Sequence, residues 1–169
     1  TDGSNAGNFT RQQNFPAVQE NGIARISSHN HSGVVNEELA YVALNGESGQ
    51  SGGLAVLNKD GSEVRYRKTD EYYVSITATD NRIFAAGPGG TIDVFSVTSA
   101  LKDPIGVDAG GLSLEGSFDL GGLQNVGAGG DIASAQVNQI LATNDYLYVA
   151  ASTEGVVVLE LAENQGDIF

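Results

Sequence analysis

The chain repeats itself. ILATNDYLYVAASTEGVVVLEL, running from Ile140 to Leu161, restates after 64 residues the stretch ITATDNRIFAAGPGGTIDVFSV that runs from Ile76 to Val97. Four of the first eleven aligned positions are identical: Ile76/Ile140, Ala78/Ala142, Thr79/Thr143 and Ala86/Ala150. Four more are conservative, Phe84/Tyr148 and Ile83/Leu147 among them. From the aromatic anchor to the next apolar run the spacing is eight residues in both copies (Phe84 to Ile92, Tyr148 to Val156). Short apolar runs bounded by Asn, Asp and Gly are strand and turn signals. The spacing therefore predicts a strand at 139–142, a turn at Thr143–Asp145, a strand at 146–150 and a third at 155–161. A looser copy anchors on Tyr41, 43 residues before Phe84, and resumes at Leu54 after a loop of Gly, Ser and Glu. A unit of this size cannot bury its apolar face alone, so its neighbours must cover it.

Taken in order, residues 1–22 are polar, rich in turn residues and without period, which predicts an irregular arm. Three repeats follow, at about 23–68, 72–120 and 136–169. The first carries IARIS from Ile23, a polar loop from His29 to Glu38, then LAYVAL, LAVLN, a tight turn at Lys59-Asp60-Gly61 and SEVRYRK. The second carries YYVSITA, RIFAA, TIDVFSV and GLSLEGSFDL. Strict alternation in GLSLEGSFDL predicts Leu112, Leu114, Gly116, Phe118 and Leu120 on one face, with Ser113, Glu115, Ser117 and Asp119 wet on the other. The third carries NQILATN, YLYVA and GVVVLEL, then AENQGDIF, too short for a well-formed fourth strand. A Gly-rich connector, 121–135, precedes it. RIFAA, YLYVA and GVVVLEL are nearly continuously apolar, so cover is expected on both their faces.

Buried middle strands and a wet outer strand are what a β-propeller blade shows when four-stranded sheets pack face to face. The chain is expected to be all-β, with about three four-stranded antiparallel blades. A β-sandwich is the alternative and a β-solenoid a further one. LYVAASTEGVVVLEL (147–161), IFAAGPGGTIDVFSV (83–97) and, less closely, AYVALNGESGQSGGLAVLN (40–58) resemble the LVIVD-type propeller repeats of bacterial surface and secreted proteins. The resemblance implies a scaffold and brings no catalytic set with it. Propellers use about 4–8 blades, so the remaining ones are expected from a longer parent chain or from self-association. A start at Thr1 and the absence of methionine fit a processed or excised chain.

The formal net charge is −13, and all eight Lys and Arg stand at or before Lys102. Residues 103–169 hold ten Asp or Glu and no base. Phosphate backbones and anionic membrane surfaces need cationic partners, so neither nucleic acid nor membrane is an expected partner. No apolar run reaches the length of a membrane-spanning helix. With no cysteine there is no thiol nucleophile, thiolate metal site or disulfide. An acidic, Gly/Ser/Asn-rich chain leans towards an extracellular or cell-envelope location, any signal peptide having been removed. Asn8-Phe9-Thr10 and Asn30-His31-Ser32 match the glycosylation sequon.

His29 and His31, spaced i, i+2, are the two histidines. On a strand they would face one side as a metal pair can, with Glu37 or Glu38 as a third ligand. In a polar loop they are simply solvated, and that reading is preferred: no metal and no cofactor is expected. Asp70, Glu71, Asp103, Asp108, Asp119, Asp131 and Asp145 could supply the paired carboxylates of glycoside hydrolysis, but turns and edges account for such residues equally well. No nucleophile-elbow motif is present, and GPGG and GAGGD lack the Lys and helix of a phosphate loop. Tyr66, Tyr72 and Tyr73 gather near a repeat junction, where tyrosines either stack on a ligand or fill the gap between sheets. In a four-stranded blade the loops 45–53, 87–90 and 152–154 emerge on the same rim as the connectors 68–71 and 121–135. Tyr72, Tyr73, Asp70, Glu71 and Asp131 are the ligand-binding candidates there. The expected function is a non-catalytic binding scaffold for a protein or carbohydrate. A carboxylate-based hydrolase or lyase at the propeller axis is the alternative.

Overall fold

The computed structural model describes residues 23–30, 38–44, 52–58, 63–68, 72–97, 112–122, 136–152 and 155–161. These residues are all-β, in three antiparallel sheets that follow one another along the chain. Sheet one holds β1 (Ile23–Asn30), β2 (Glu38–Leu44), β3 (Gly53–Asn58) and β4 (Glu63–Lys68) in that order. Sheet two holds β5 (Ser75–Ala78), β6 (Arg82–Ala86), β7 (Thr91–Val97) and β8 (Leu112–Asp119), closing on a 3-10 turn at Leu120–Gly122. Sheet three holds β9 (Gln139–Ala142), β10 (Tyr146–Ala150) and β11 (Val156–Glu160). No helix of the described residues is long and apolar enough to cross a membrane.

The sequence repeat is a hydrogen-bond repeat. Val74 N–H donates to Ala86 O at 2.8 Å, and Asn138 to Ala150 at 2.9 Å. Thr79 donates to Arg82 and Thr143 to Tyr146; Gly87 to Thr91 and Ala151 to Gly155; Val97 to Asn81 and Leu161 to Asp145. Each pair keeps the 64-residue offset. The hairpins before β7 and β11 both end on a glycine with positive φ, Gly90 at 99° and Gly155 at 79°, a backbone region that side chains with a Cβ avoid.

Sheet two is packed between the other two. Ile76, Ile83, Ala85, Phe95 and Val97 on its back face bury Leu39, Tyr41, Ala43, Leu54 and Val56 of sheet one. Phe84, Ala86, Ile92 and Val94 on its front face bury Ile140, Leu147, Val149 and Leu159 of sheet three. The alternation of β6 and β7 thus feeds two separate cores, and every residue of β6 is buried. Burial of this kind supplies roughly 1.5–3 kcal/mol per large apolar side chain. Tyr41, fully enclosed, has its hydroxyl pKa pushed well above the ordinary phenol range by desolvation. On the other side of sheet one, Val42, Leu44 and Ala55 form a third buried cluster.

The first strands of successive sheets lie side by side, β1 next to β5 and β5 next to β9. Strand edges carry backbone groups that need partners. Here the outward-facing amides of β9 find side chains of β5: Ile140 N–H donates to Ser75 Oγ at 3.0 Å and Ala142 N–H to Thr77 Oγ1 at 3.1 Å. Ser75 and Thr77 interrupt an otherwise apolar strand for this reason.

Three expectations are corrected. YLYVA and GVVVLEL are not covered on both faces: Leu147, Val149 and Leu159 are buried, whereas Tyr146, Tyr148, Val156 and Val158 are exposed, because no described sheet lies beyond sheet three. Next, β1 runs on through His29 to Asn30, where a polar loop was expected; its register with β2 pairs His29 with Leu39. Finally, GLSLEGSFDL does not keep one apolar face. Val94 pairs with Gly116 and Phe95 with Leu114, so Glu115 is the extra residue of a β-bulge. Leu112 and Leu114 consequently share the back face with Val97 and Phe95, while Phe118 and Leu120 pack on the front.

Glu115 is exposed, as expected of its face, but it is also paired. Its Oε2 accepts from Arg82 Nε at 2.9 Å, and the Arg82 side chain is only 11% exposed. A charged hydrogen bond with one sheltered partner contributes more than a surface ion pair. Glu115→Ala is expected to cost about 1–2 kcal/mol, read as a lower urea midpoint at unchanged slope; Glu115→Gln should recover part of it.

Candidate functional site

One end of sheet two is strapped into a compact rim. Tyr73 N–H donates to Leu44 O at 3.1 Å and Val74 N–H to Ala86 O at 2.8 Å, tying the lead-in of β5 to the ends of β2 and β6. Leu120 N–H donates to Gly90 O at 3.1 Å, tying the end of β8 to the β6–β7 turn. Asp119 Oδ1 accepts from Gly121 N–H at 2.9 Å and so shapes the 3-10 turn. The tyrosine ring of Tyr72, 45% exposed, stands on this rim, with its carbonyl beside Gly87. Exposed Gly89 and half-exposed Pro88 form the neighbouring turn.

Tyr72 and Tyr73 point opposite ways, as neighbours in extended chain do. Tyr73 is buried, its ring edge-on to Phe95 with centroids 6.4 Å apart. Its hydroxyl donates to Asp93 Oδ2 at 2.5 Å, and Ser117 Oγ donates to Asp93 Oδ1 at 2.5 Å. Asp93, in the middle of β7 and buried, thus has a hydroxyl donor on each carboxylate oxygen. A buried carboxylate is tolerable only when so satisfied. The trio joins the lead-in, β7 and β8, and its chemistry is that of a structural pin.

Asp93 was not among the sequence candidates. The available signal was a lone acid inside the apolar run TIDVFSV, at the position where the later copy has Val157. Of the candidates themselves, Tyr72 lies on the rim surface and Tyr73 beneath it. Asp70, Glu71 and Asp131 lie outside the described residues, as do His31, Glu37, Asp103, Asp108 and both the Lys59–Gly61 turn and the sequon at Asn8. His29 belongs to β1, and Tyr66 to β4, opposite Ala55. Asp119 sits at the rim end, whereas Asp145 lies in the β9–β10 turn at the opposite end of its sheet. Among the described residues no three His, Asp or Glu stand close enough to hold a metal ion.

Neither a scan of protein-family models nor a search of curated proteins finds a match to the chain.

Proposed function

We propose that the chain is a non-catalytic scaffold of β-propeller type, its sheets acting as blades, and that it recognises a protein or glycan at the rim formed by Tyr72 and the Gly87–Gly90 turn. The observation that carries this reading is the rim itself: an exposed aromatic residue on a lead-in whose next two residues are hydrogen-bonded to β2 and β6. Such a ring offers a rigid, largely apolar surface with a polar tip, and ordering it on binding costs little entropy. The stacking of sheets through successive faces, with first strands adjacent, supports the propeller over a sandwich, in which two sheets would share one core. The scaffold reading is further supported by the carboxylates. Asp93 has both oxygens engaged by hydroxyls, and the two described acid candidates, Asp119 and Asp145, stand at opposite ends of their sheets, not as the close pair that glycoside hydrolysis needs. The acidic, Gly/Ser/Asn-rich composition fits a protein of the cell surface or exterior.

Labelled chain applied to a glycan array, and to surface proteins captured individually, should give signals that Tyr72→Ala lowers at least about tenfold. Because the side chain is exposed, the melting temperature should not move. Binding that survives Tyr72→Ala and a bulky substitution at Gly89 would overturn the assignment of the rim.

A further inference from the structure

The face of sheet three that looks away from sheet two matches, position for position, the face that sheet one turns towards sheet two. Tyr41 pairs with Val56 and Ala43 with Leu54 in sheet one; Tyr148 pairs with Val158 and Ala150 with Val156 in sheet three. Tyr146 stands where Leu39 does. The two faces are the same kind of surface, an aromatic flanked by branched aliphatics and one alanine. Their exposures differ completely. Tyr41, Val56 and Leu54 are fully buried under sheet two, while Tyr148 is 37%, Val158 52% and Val156 67% exposed. Tyr146 and Tyr148 lie together on the open face with ring centroids 6.3 Å apart. Leu141, on β9, adds to the same patch. Contiguous apolar surface of this sort marks an interaction site.

We infer that the outer face of sheet three is a docking surface for a further four-stranded sheet of the same repeat, one that presents the aliphatic back face of sheet two. The complement is on view: Ile76, Ile83, Ala85, Phe95 and Val97 are what covers the equivalent face of sheet one. Among its described residues a second copy of the chain does not offer that back face free. Its sheet-two back face is occupied by its own sheet one, and on the far side of sheet one Val42, Leu44 and Ala55 are buried, which leaves only Ile26, opposite Val42, exposed among the described aliphatics there. Glu160, opposite Tyr146, would stay at the margin of the new interface; the matching register position in sheet one, opposite Leu39, is the polar Asn58. The inference rests on the stacking of the sheets and not on the rim reading, so the Tyr72 experiment and the one below can fail separately.

The test extends the full chain at its C-terminus with a second copy of residues 68–122, and in a parallel protein with a second copy of residues 121–161. Nitration of Tyr146 and Tyr148 by tetranitromethane, resolved by peptide mass spectrometry, should slow at least about tenfold in one or both extended proteins. Tyr148→Asp in the extended protein should restore nitration of Tyr146. The same change in the unextended chain should leave its urea midpoint in place, which shows that the variant folds. Nitration as fast in both extended proteins as in the original chain would overturn the inference. Protection already present in the unextended chain, with a dimer mass by light scattering, would overturn it in favour of a second copy.

Discussion

Phe84→Ala should lower stability by about 3–5 kcal/mol, while Tyr148→Ala, one repeat later, should cost about 1 kcal/mol or less. The two aromatics occupy equivalent places on β6 and β10 and differ in what lies above them. Phe84 is fully enclosed between β5–β8 and sheet three, in contact with the Ile92, Val94, Leu147 and Val149 cluster. Its removal leaves a cavity that two packed sheets cannot close. Tyr148 faces away from that core and is partly solvated. Urea unfolding of the two variants, compared at equal slope, checks the expectation. Equal losses would mean that the outer face of sheet three is covered in the folded chain.

Removing the carboxylate of Asp93 is the second large effect. Asp93→Val places in β7 the residue that β11 carries at the matching position, Val157, yet it should cost about 2–4 kcal/mol. The loss comes from Tyr73, whose buried hydroxyl would lose its hydrogen bond to Asp93, whereas the Ser117 hydroxyl is exposed enough to turn to water. Replacing both partners removes the donor together with its acceptor. Tyr73→Phe combined with Asp93→Val should therefore be more stable than Asp93→Val alone, a coupling that a double-mutant cycle reads directly. Strict additivity of the two changes would show that the hydrogen bond does not hold the β5 lead-in.

The strands were readable where periodicity and turn residues agree. The bounds expected for β9 and β10 are those observed, because Thr143-Asn144-Asp145 can only be a turn between two short apolar runs. RIFAA reads as doubly buried and is. YLYVA reads the same way and is not. A continuous apolar run reports that a strand is fit to be covered twice, whereas cover depends on a neighbouring sheet that no local pattern encodes. The bulge at Glu115 escaped for a different reason: alternation counted through an inserted residue looks unbroken, and only the register with Val94 and Phe95 exposes it. The Asp93 pin was hidden by distance, its donors lying 20 and 24 residues away in sequence. At the rim, the adjacent Tyr72 and Tyr73 were both legible as candidates. Strand alternation sends one in and one out, and which of them is outward is decided by the partners of Tyr73.

Sheet two is enclosed on both faces by the sheets before and after it. Hydrogen exchange of the intact chain, followed by mass spectrometry, addresses this peptide by peptide. Amides of β6 and β7 should exchange slowest and only through global unfolding, with those of β10 and β11 opening earlier because one face of their sheet is bare. Exchange from β6 as fast as from β11 would contradict the enclosed position of sheet two and the stacking that follows from it.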